Sequence, residues 1–232
     1  MADDIADVLA EIARSLVAED DYDATLCKVT QLAVATIEGC DHAGITLVHG
    51  RRLETVAPTG DVPVEVDRIQ YEVDEGPCLS SIRDCEMLKS DDLGNEERWP
   101  MFANRTAETT GVLSMLSFRL FVESDTMGAL NLYSKQVAAF SQGDSEHIGA
   151  LFAAHAAVAM TTARETQNLK AALVTRNVIG QAQGILMATQ NLTSAEAIET
   201  LKKTSQRLNV KLRSVASAVT FTGEIPQTPD GC

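Results

Sequence analysis

The sequence predicts an α+β fold, in which an antiparallel sheet flanked by helices is followed by a long helix and a C-terminal three-helix bundle. Three observations support this class. Apolar residues recur at helical spacing through residues 1–38. Short runs rich in β-branched and aromatic residues alternate with turns from residue 42 to residue 134. The helical period then returns at Asp144 and continues to about Gln190, with two further helical segments beyond it.

The N-terminal part is expected to supply two helices and five strands. Asp23 is expected to cap the second helix and Gly39 to end it. The strands are expected at HAGITLV, RLETVAP, RIQYEV, VLSMLSFRLFV and MGALNLYS. After the Gly-Pro turn of DEGPCLS, a short helix is expected through SSIRD.

The C-terminal helices carry boundary signals of their own. Thr193 and Glu196 have capping-box spacing, which predicts a helix from this point through Leu208. Asn209 is expected to cap the final helix. Residues 223–232 are expected to form a disordered tail.

Small residues interrupt the long helix in the stretch VIGQAQGILM. Glycine in a helix interior costs about 0.5–1 kcal/mol relative to alanine, so its presence needs a reason. Ala182 and Gly184 are expected to let the other two helices of the bundle pack closely on this one. The apolar residues around them are expected to lie in the core: Ile179, Ile185, Leu186 and Met187.

Composition excludes several classes of protein. The N-terminal stretch MADDIADVLAEIARSL lacks a basic start, and no apolar run reaches the roughly 18 residues of a membrane helix, so a cytoplasmic protein is expected. Five cysteines, an odd number, fit free thiols in a reducing compartment. No cysteine pair has metal-site spacing, and buried thiols are favoured over a metal shared by Cys40, His42 and His49. With no metal or nucleotide motif, the cofactor is unknown.

Charge is divided unevenly along the chain, whose formal net charge is −14. Residues 1–163 hold 11 Lys and Arg against 28 Asp and Glu, a net charge of −17. Residues 164–222 hold 8 basic and 3 acidic residues, a net charge of +5. This asymmetry indicates a polyanionic partner for the C-terminal part.

The C-terminal part also carries a sequence pattern in three ordered segments. LVTRNVIGQAQGILM contains R-x-x-I-x-x-A-x-G-x-L-M, and the stretch that follows contains A-x-x-x-L-x-x-x-S and then N-x-K-L-x-x-V-A. Over about residues 165–221 this pattern resembles an ANTAR domain, a bacterial RNA-binding antitermination module. Upstream, the stretches DEGPCLSSIRD, ERWPMFA, GVLSMLSFRL and MGALNLYS resemble a GAF sensor domain over about residues 22–163.

The two resemblances imply a GAF–ANTAR transcription antitermination regulator without enzymatic activity. The implied domains are a GAF-like sensor with an N-terminal helix at 1–163, an ANTAR RNA-binding domain at 164–222 and the tail at 223–232. Proteins of this kind dimerise through the helix between the domains and bind paired RNA stem-loops. A small-molecule GAF ligand fits this reading, although the sequence does not identify one.

The helix SAEAIETLKKTSQRLN is the first candidate for RNA contact. Its spacing turns Lys202, Lys203, Gln206 and Arg207 outward. Lys203 and Arg207 are like charges at i,i+4, an arrangement that costs a few tenths of a kcal/mol and that a phosphate backbone would convert into affinity. The alternative is an ordinary solvated face in which Glu199 pairs with Lys203.

Further polar residues could extend this surface. The full candidate set comprises Arg176, Gln183, Lys202, Lys203, Gln206, Arg207, Asn209, Lys211 and Arg213. Polar and planar side chains of this kind suit the exposed bases of RNA loops. Aromatic stacking residues are not expected at this surface, because Phe221 is expected to lie in the core.

A candidate pocket in the sensor part comprises Cys78, Arg98 and Trp99. The alternative is that Gly76-Pro77 is a structural turn, Cys78 a small buried hydrophobe and Trp99 a cover for the core. Two other functions remain open: a GAF sensor whose helical end binds a partner protein or DNA, and a cysteine-dependent reductase that uses Cys78 and Cys85.

Overall fold

The computed structural model describes residues 10, 12, 14–16, 21–83, 87–122, 125–141 and 144–227. The chain divides into two compact units, Met1–Glu165 and Thr166–Cys232. The helices are α1 (Tyr22–Thr36), α2 (Asp61–Val73), α3 (Pro77–Arg83), α4 (Pro100–Thr110), α5 (Ser145–Gln190), α6 (Ser194–Leu208) and α7 (Leu212–Thr222), with a short 3₁₀ helix at Leu93–Asn95.

The first unit is built on a five-stranded antiparallel sheet. Its strands are β1 (His42–His49), β2 (Arg52–Val56), β3 (Met87–Ser90), β4 (Ser114–Val122) and β5 (Asp125–Ser134), in the spatial order β2-β1-β5-β4-β3. The long β4–β5 hairpin runs from the Ser114–Ser134 pair to the Val122–Asp125 pair. The predicted α+β class is confirmed.

Each face of the sheet is covered by a different hydrophobic core. Because successive side chains of a strand alternate between faces, Leu130 and Leu132 of β5 join one core while Ala129 and Tyr133 join the other. The first core is closed by α1 and the beginning of α5, and the second contains residues of α2, α3 and α4. Polar residues lie on this second face, and they form the buried cluster described below.

One predicted strand is a helix. RIQYEV lies in α2, although its β-branched and aromatic residues favoured a strand. Val66 and Ile69, three residues apart, are both buried on one side of α2, so packing against the sheet outweighs local β propensity. The strand β3 and the helix α4 were not predicted.

Helix boundaries agree with the sequence in part. The Thr193–Glu196 capping box is present, and α5 and α6 confirm the predicted helices. Asp21 rather than Asp23 caps α1, since its carboxylate accepts hydrogen bonds from the backbone N–H of Asp23 and Ala24. Of the helix predicted within residues 1–20, residues 10, 12 and 14–16 are helical, and the others lie outside the described residues.

The second unit packs α5, α6 and α7 around a small aliphatic core. Ala182 is fully buried in it, as predicted, and so is Leu186. Gly184 is not a packing contact, because a Cβ added there would meet no atom within 4 Å. Met187 is 40% exposed and Phe221 is 93% exposed, so the prediction that both lie in the core is wrong.

Part of the predicted tail packs against the bundle. Ile225 is partly buried against the aliphatic core of the second unit. The carbonyl oxygen of Pro226 accepts a hydrogen bond of 3.3 Å from Arg207 Nη2. Residues 228–232 lie outside the described residues.

Candidate nucleic-acid interface and sensor site

The basic face of α6 follows from its amphipathic sequence. Ala197, Leu201 and Thr204 are buried against the bundle. Four residues of the candidate set occupy the opposite, exposed side: Lys202, Lys203, Gln206 and Arg207. We call these four residues the basic face. These residues have the sequence spacing i, i+1, i+4 and i+5, which places them on one side of the helix.

Among the residues that the structure describes, no carboxylate pairs with the positive charges of this face. Within the described part of the chain, neither Lys202 nor Lys203 forms an ion pair. In particular, the Glu199–Lys203 pair expected of an ordinary solvated face is not formed. Arg207 directs one guanidinium nitrogen to the Pro226 carbonyl, a neutral acceptor that leaves its charge uncompensated.

The turn between α6 and α7 is a compact αL cap. Asn209 has φ 51°, and its N–H donates to the Gln206 carbonyl, so it ends α6 instead of capping α7 as predicted. The N–H of Val210 donates to the Ser205 carbonyl, and Ser205 Oγ donates to the Val210 carbonyl at 2.6 Å. Asn209, together with Lys211 and Arg213 immediately after the turn, is exposed at this end of α6.

The two candidate residues on α5 are placed differently from each other. Arg176 is exposed. Gln183 is only half-exposed, and its amide Nε2 donates to the backbone carbonyl of Ser194 at 2.6 Å and to Ser194 Oγ at 2.7 Å. The Gln183 amide therefore links α5 to the first residue of α6. Its Nε2 group already donates hydrogen bonds within the domain.

The sensor unit contains a buried polar cluster centred on Asp67 of α2. The Asp67 carboxyl accepts hydrogen bonds from Tyr133 OH at 2.7 Å and Thr55 Oγ1 at 2.9 Å. Thr46 Oγ1 and Gln70 Nε2 donate to it at 3.2 Å each. Asp67, Thr46, Gln70 and Tyr133 are all completely buried. We call the six residues Asp67, Thr46, Gln70, Tyr133, Cys78 and Asn131 the polar cluster.

Burial controls the protonation of this cluster. Removal from water raises the pKa of Asp67 above its usual value, against the opposing effect of the hydrogen bonds from Tyr133 and its neighbours. The pKa of Tyr133 lies well above its usual value, because the phenol is buried and faces the Asp67 carboxyl. Both groups are therefore held toward their neutral forms.

Cys78 joins the polar cluster through its thiol and its backbone. Its Sγ donates to Thr46 Oγ1 at 3.2 Å and accepts from Asn131 Nδ2 at 3.2 Å. Its backbone N–H donates to Gln70 Oε1 at 3.1 Å. Burial raises the pKa of the Cys78 thiol to about 12, so the thiol is protonated near neutral pH.

The Gly76 that precedes α3 is required by the Gln70 side chain. Its φ is +133°, a conformation that favours glycine, and a Cβ at this position would overlap the Gln70 side chain. The Gly-Pro turn predicted from the sequence therefore has a specific role. It lets the Gln70 amide reach the backbone of Cys78.

The three predicted pocket residues are only partly brought together. Cys78 and Trp99 belong to the same hydrophobic core, and Trp99 Nε1 donates to Ser80 Oγ at 3.1 Å. Arg98 lies at the surface, where it pairs with Glu96 at 2.6 Å and stacks over the Trp99 ring at 4.4 Å. Sequence reasoning missed Asp67, Thr46, Asn131 and Tyr133, since isolated polar residues in strands and helices give no local signal of burial.

The sheet with its two covered faces and buried polar cluster forms one domain, and the small bundle that carries the basic face forms a second. The family model for the GAF domain matches residues 19–161, and that for the ANTAR domain matches residues 167–219. The chain belongs to the GAF family and carries an ANTAR domain after its GAF domain. It is a signal-sensing regulator with an RNA-binding output domain.

Solved structures support the fold of the sensor unit. The GAF domain of an Acinetobacter phosphoenolpyruvate-protein phosphotransferase is similar at 19% identity and a TM-score of 0.57, covering 72% of this chain and 99% of that one. The free methionine-R-sulfoxide reductase from Neisseria meningitidis is similar at 18% identity and a TM-score of 0.53, covering 72% and 91%. At these identities the likeness concerns the fold alone. Among curated protein sequences, no significant match is found.

Across the described ranges, no group of three or more His, Cys, Asp and Glu residues is placed to hold a metal ion. None of the helices in the described part of the chain is long and apolar enough to cross a membrane. Cys85, the second cysteine of the reductase hypothesis, lies outside the described residues.

Proposed function

We propose that this protein is an antitermination regulator whose GAF domain controls the binding of its ANTAR domain to paired RNA stem-loops. Binding would stabilise an antiterminator structure in the transcript over a competing terminator hairpin, so that transcription continues. The observation that carries the proposal is the basic face of α6, whose lysines are exposed and pair with no carboxylate of the described residues. Phosphate groups of RNA would supply the missing counter-charge.

A salt titration of the full chain tests the proposal. Its binding to two linked RNA hairpins is compared with its binding to the same stems carrying scrambled loops, and to duplex DNA. We expect the paired hairpins to bind tightest, with log affinity falling linearly as log salt concentration rises. Equal and weak binding to all three would contradict RNA recognition, and a preference for duplex DNA would favour the DNA-binding alternative.

Paired substitutions connect this result to the basic face. Lys202→Ala with Lys203→Ala should lower the salt slope by about 1 to 2, since each lost phosphate contact contributes about 0.7–0.9 to it. The matched control is Arg51→Ala with Arg52→Ala, which removes the same charge from two exposed residues where the β1–β2 turn meets β2. An equal effect of the two pairs would indicate a general charge effect and would contradict a site on α6.

The proposal includes a homodimer formed through α5. Leu169 and Leu173 are 64% and 56% exposed on this helix. They lie four residues apart, which is one d-to-a step of the heptad repeat in a two-stranded coiled coil. A second copy of the chain would cover these leucines.

Sedimentation equilibrium tests the dimer. Leu169→Glu with Leu173→Glu should give a monomer, because four carboxylates would meet along the seam of the dimer. The control is Met101→Glu, at a residue of the sensor unit that is 62% exposed. A wild-type chain that sediments as a monomer, or a double variant that stays dimeric, would contradict this interface.

The input is proposed to act at the polar cluster of the GAF domain, beside the predicted pocket residues Cys78 and Trp99. A small polar ligand would bind there by replacing hydrogen bonds that these buried groups make to one another. Native mass spectrometry of the purified chain should detect such a ligand, and Asp67→Asn should lose it. The control is Asp91→Asn, at an exposed residue of the same unit. A chain without ligand, or ligand retained in both variants, would count against this input site.

The reductase alternative is disfavoured by the state of Cys78. The thiolate is the nucleophile in such chemistry, and a buried thiol with a pKa of about 12 supplies very little of it. A protein partner for the basic face has no specific observation in its favour. The RNA comparison above separates it from the leading proposal.

A further inference from the structure

Phe221 occupies an unusual position on the last helix of the ANTAR domain. Its side chain is 93% exposed, whereas the other exposed large hydrophobic residues of the described chain reach at most 64%. It lies on the side of α7 away from the bundle core, since Val215, Ala216 and Val219 are the buried residues of this helix. Within the described residues, the fold of the domain therefore leaves Phe221 almost entirely exposed.

The surroundings of Phe221 are polar and basic. Arg213, Ser217 and Phe221 follow one another at i, i+4 and i+8 along one side of α7, and all three are exposed. Arg213 forms no ion pair within the described residues. A rise of about 1.5 Å per residue separates Arg213 and Phe221 by about 12 Å along the helix, which is the span of a few nucleotides.

The basic face of α6 lies close in the chain fold to the segment that follows Phe221. Arg207 Nη2 donates to the carbonyl of Pro226, five residues beyond Phe221. In the described part of this segment, residues 222–227, the carboxylate of Glu224 is exposed. Cations therefore lie on both α6 and α7.

We propose that Phe221 is a stacking platform for an unpaired base of an RNA loop, with Arg213 contacting the adjacent phosphate backbone. The inference rests on the proposed RNA-binding function and names the residue that would read the loop. Single-stranded loops are recognised by stacking of splayed bases on aromatic side chains, combined with cations along the backbone. A self-contact between two copies is less suited to this surface, because a two-fold axis through it would bring like charges together.

The test uses the full chain and the paired hairpins, with each loop base replaced in turn by fluorescent 2-aminopurine. In the wild-type chain, binding should quench or shift the signal at one loop position. Phe221→Ala should abolish that change and weaken binding by about 5- to 100-fold. Phe221→Trp should retain both, whereas Phe221→Leu, which keeps an apolar side chain without a ring, should behave as Phe221→Ala does.

Controls separate stacking from charge and from folding. Val210→Ala shortens another exposed apolar residue of the same unit, 43% exposed, and should bind RNA like the wild type. Phe221→Ala should leave the salt slope unchanged because it removes no charge, while Arg213→Gln should reduce it by about 0.7–0.9. The far-ultraviolet circular dichroism of Phe221→Ala should match that of the wild type, since Phe221 is 93% exposed.

The outcomes distinguish this inference from the proposed function. Wild-type affinity for the hairpins in Phe221→Ala would overturn the stacking role while leaving RNA binding intact. Loss of affinity accompanied by a changed oligomeric state in sedimentation would also overturn it, in favour of a protein contact. A wild-type chain that does not distinguish hairpins from scrambled loops would instead overturn the proposed function.

Discussion

The phenol of Tyr133 donates a 2.7 Å hydrogen bond to the Asp67 carboxyl inside the GAF domain, and both residues are completely buried. This contact joins strand β5 to helix α2 across 66 residues of sequence. It connects the central strand of the sheet to the helix that carries Gln70, whose amide in turn holds the backbone of Cys78. With the hydrogen bond from Thr46 to Asp67, the polar cluster ties β1, β5, α2 and α3 together.

Removing the Tyr133 hydroxyl should destabilise the GAF domain. Tyr133→Phe leaves the Asp67 carboxyl with one donor fewer in a dry site, and the loss of a buried partner costs about 1–3 kcal/mol. Urea denaturation of the two chains measures this difference. Tyr22→Phe is the control. Tyr22 is only half-buried, and its hydroxyl makes no hydrogen bond to the described residues. Equal stability of Tyr133→Phe and the wild type would mean that water replaces the phenol.

The stability of the fold should depend on the protonation of Asp67. Its pKa is raised on folding above the ordinary value of 3.8, so the folded chain holds this proton more tightly than the unfolded chain does. The contribution of Asp67 is thus fully present below the unfolded pKa and is lost as pH rises through the folded pKa. Asp67→Asn removes this titration.

Unfolding free energies measured from about pH 4 to about pH 8 provide the comparison. The stability of the wild type relative to Asp67→Asn should fall as pH rises across this window. The same measurement on Asp91→Asn, an exposed carboxyl of the same unit, corrects for changes in general charge. A difference that grows with pH would show that Asp67 ionises more readily in the folded chain and would reverse the assignment.

The described cysteines should differ strongly in reactivity. Cys27 is exposed, whereas Cys40 and Cys78 are buried and each has a pKa raised to about 12. Iodoacetamide applied to the native chain should therefore modify Cys27 long before the other two. Peptide mass spectrometry follows each site separately, and unfolding in urea should equalise the rates. Rapid modification of Cys78 in the native chain would revive the reductase hypothesis.

Two glycines of α5 should respond in opposite ways to substitution by alanine. Gly184→Ala places a methyl group in open space and should stabilise the chain by about 0.5–1 kcal/mol, because alanine has the higher helix propensity. In Gly149→Ala the added methyl group would overlap the ring of Phe118, which should destabilise the chain by about 1–3 kcal/mol. Denaturation curves measure both. If Gly184→Ala is instead destabilising, a second copy of the chain packs against this position.

Local signals were sufficient for much of the C-terminal unit. The helical period, the Thr193–Glu196 capping box and the outward lysines of α6 all depend on residues within a few positions of one another. The sequence predicted these features correctly for that reason. The net charge of +5 in residues 164–222 likewise needs no structure to be read.

The sequence by itself therefore determined the α+β class, the long helix with its two successors, and the family motifs that define a GAF sensor with an ANTAR output domain. Tertiary structure decided which polar residues are buried together. Asn131 and Thr46, which share a hydrogen bond, lie 85 residues apart in the chain. Tertiary structure also decided that RIQYEV is helical and that Phe221 faces solvent. Burial depends on which distant elements pack on a residue and not on the identity of that residue.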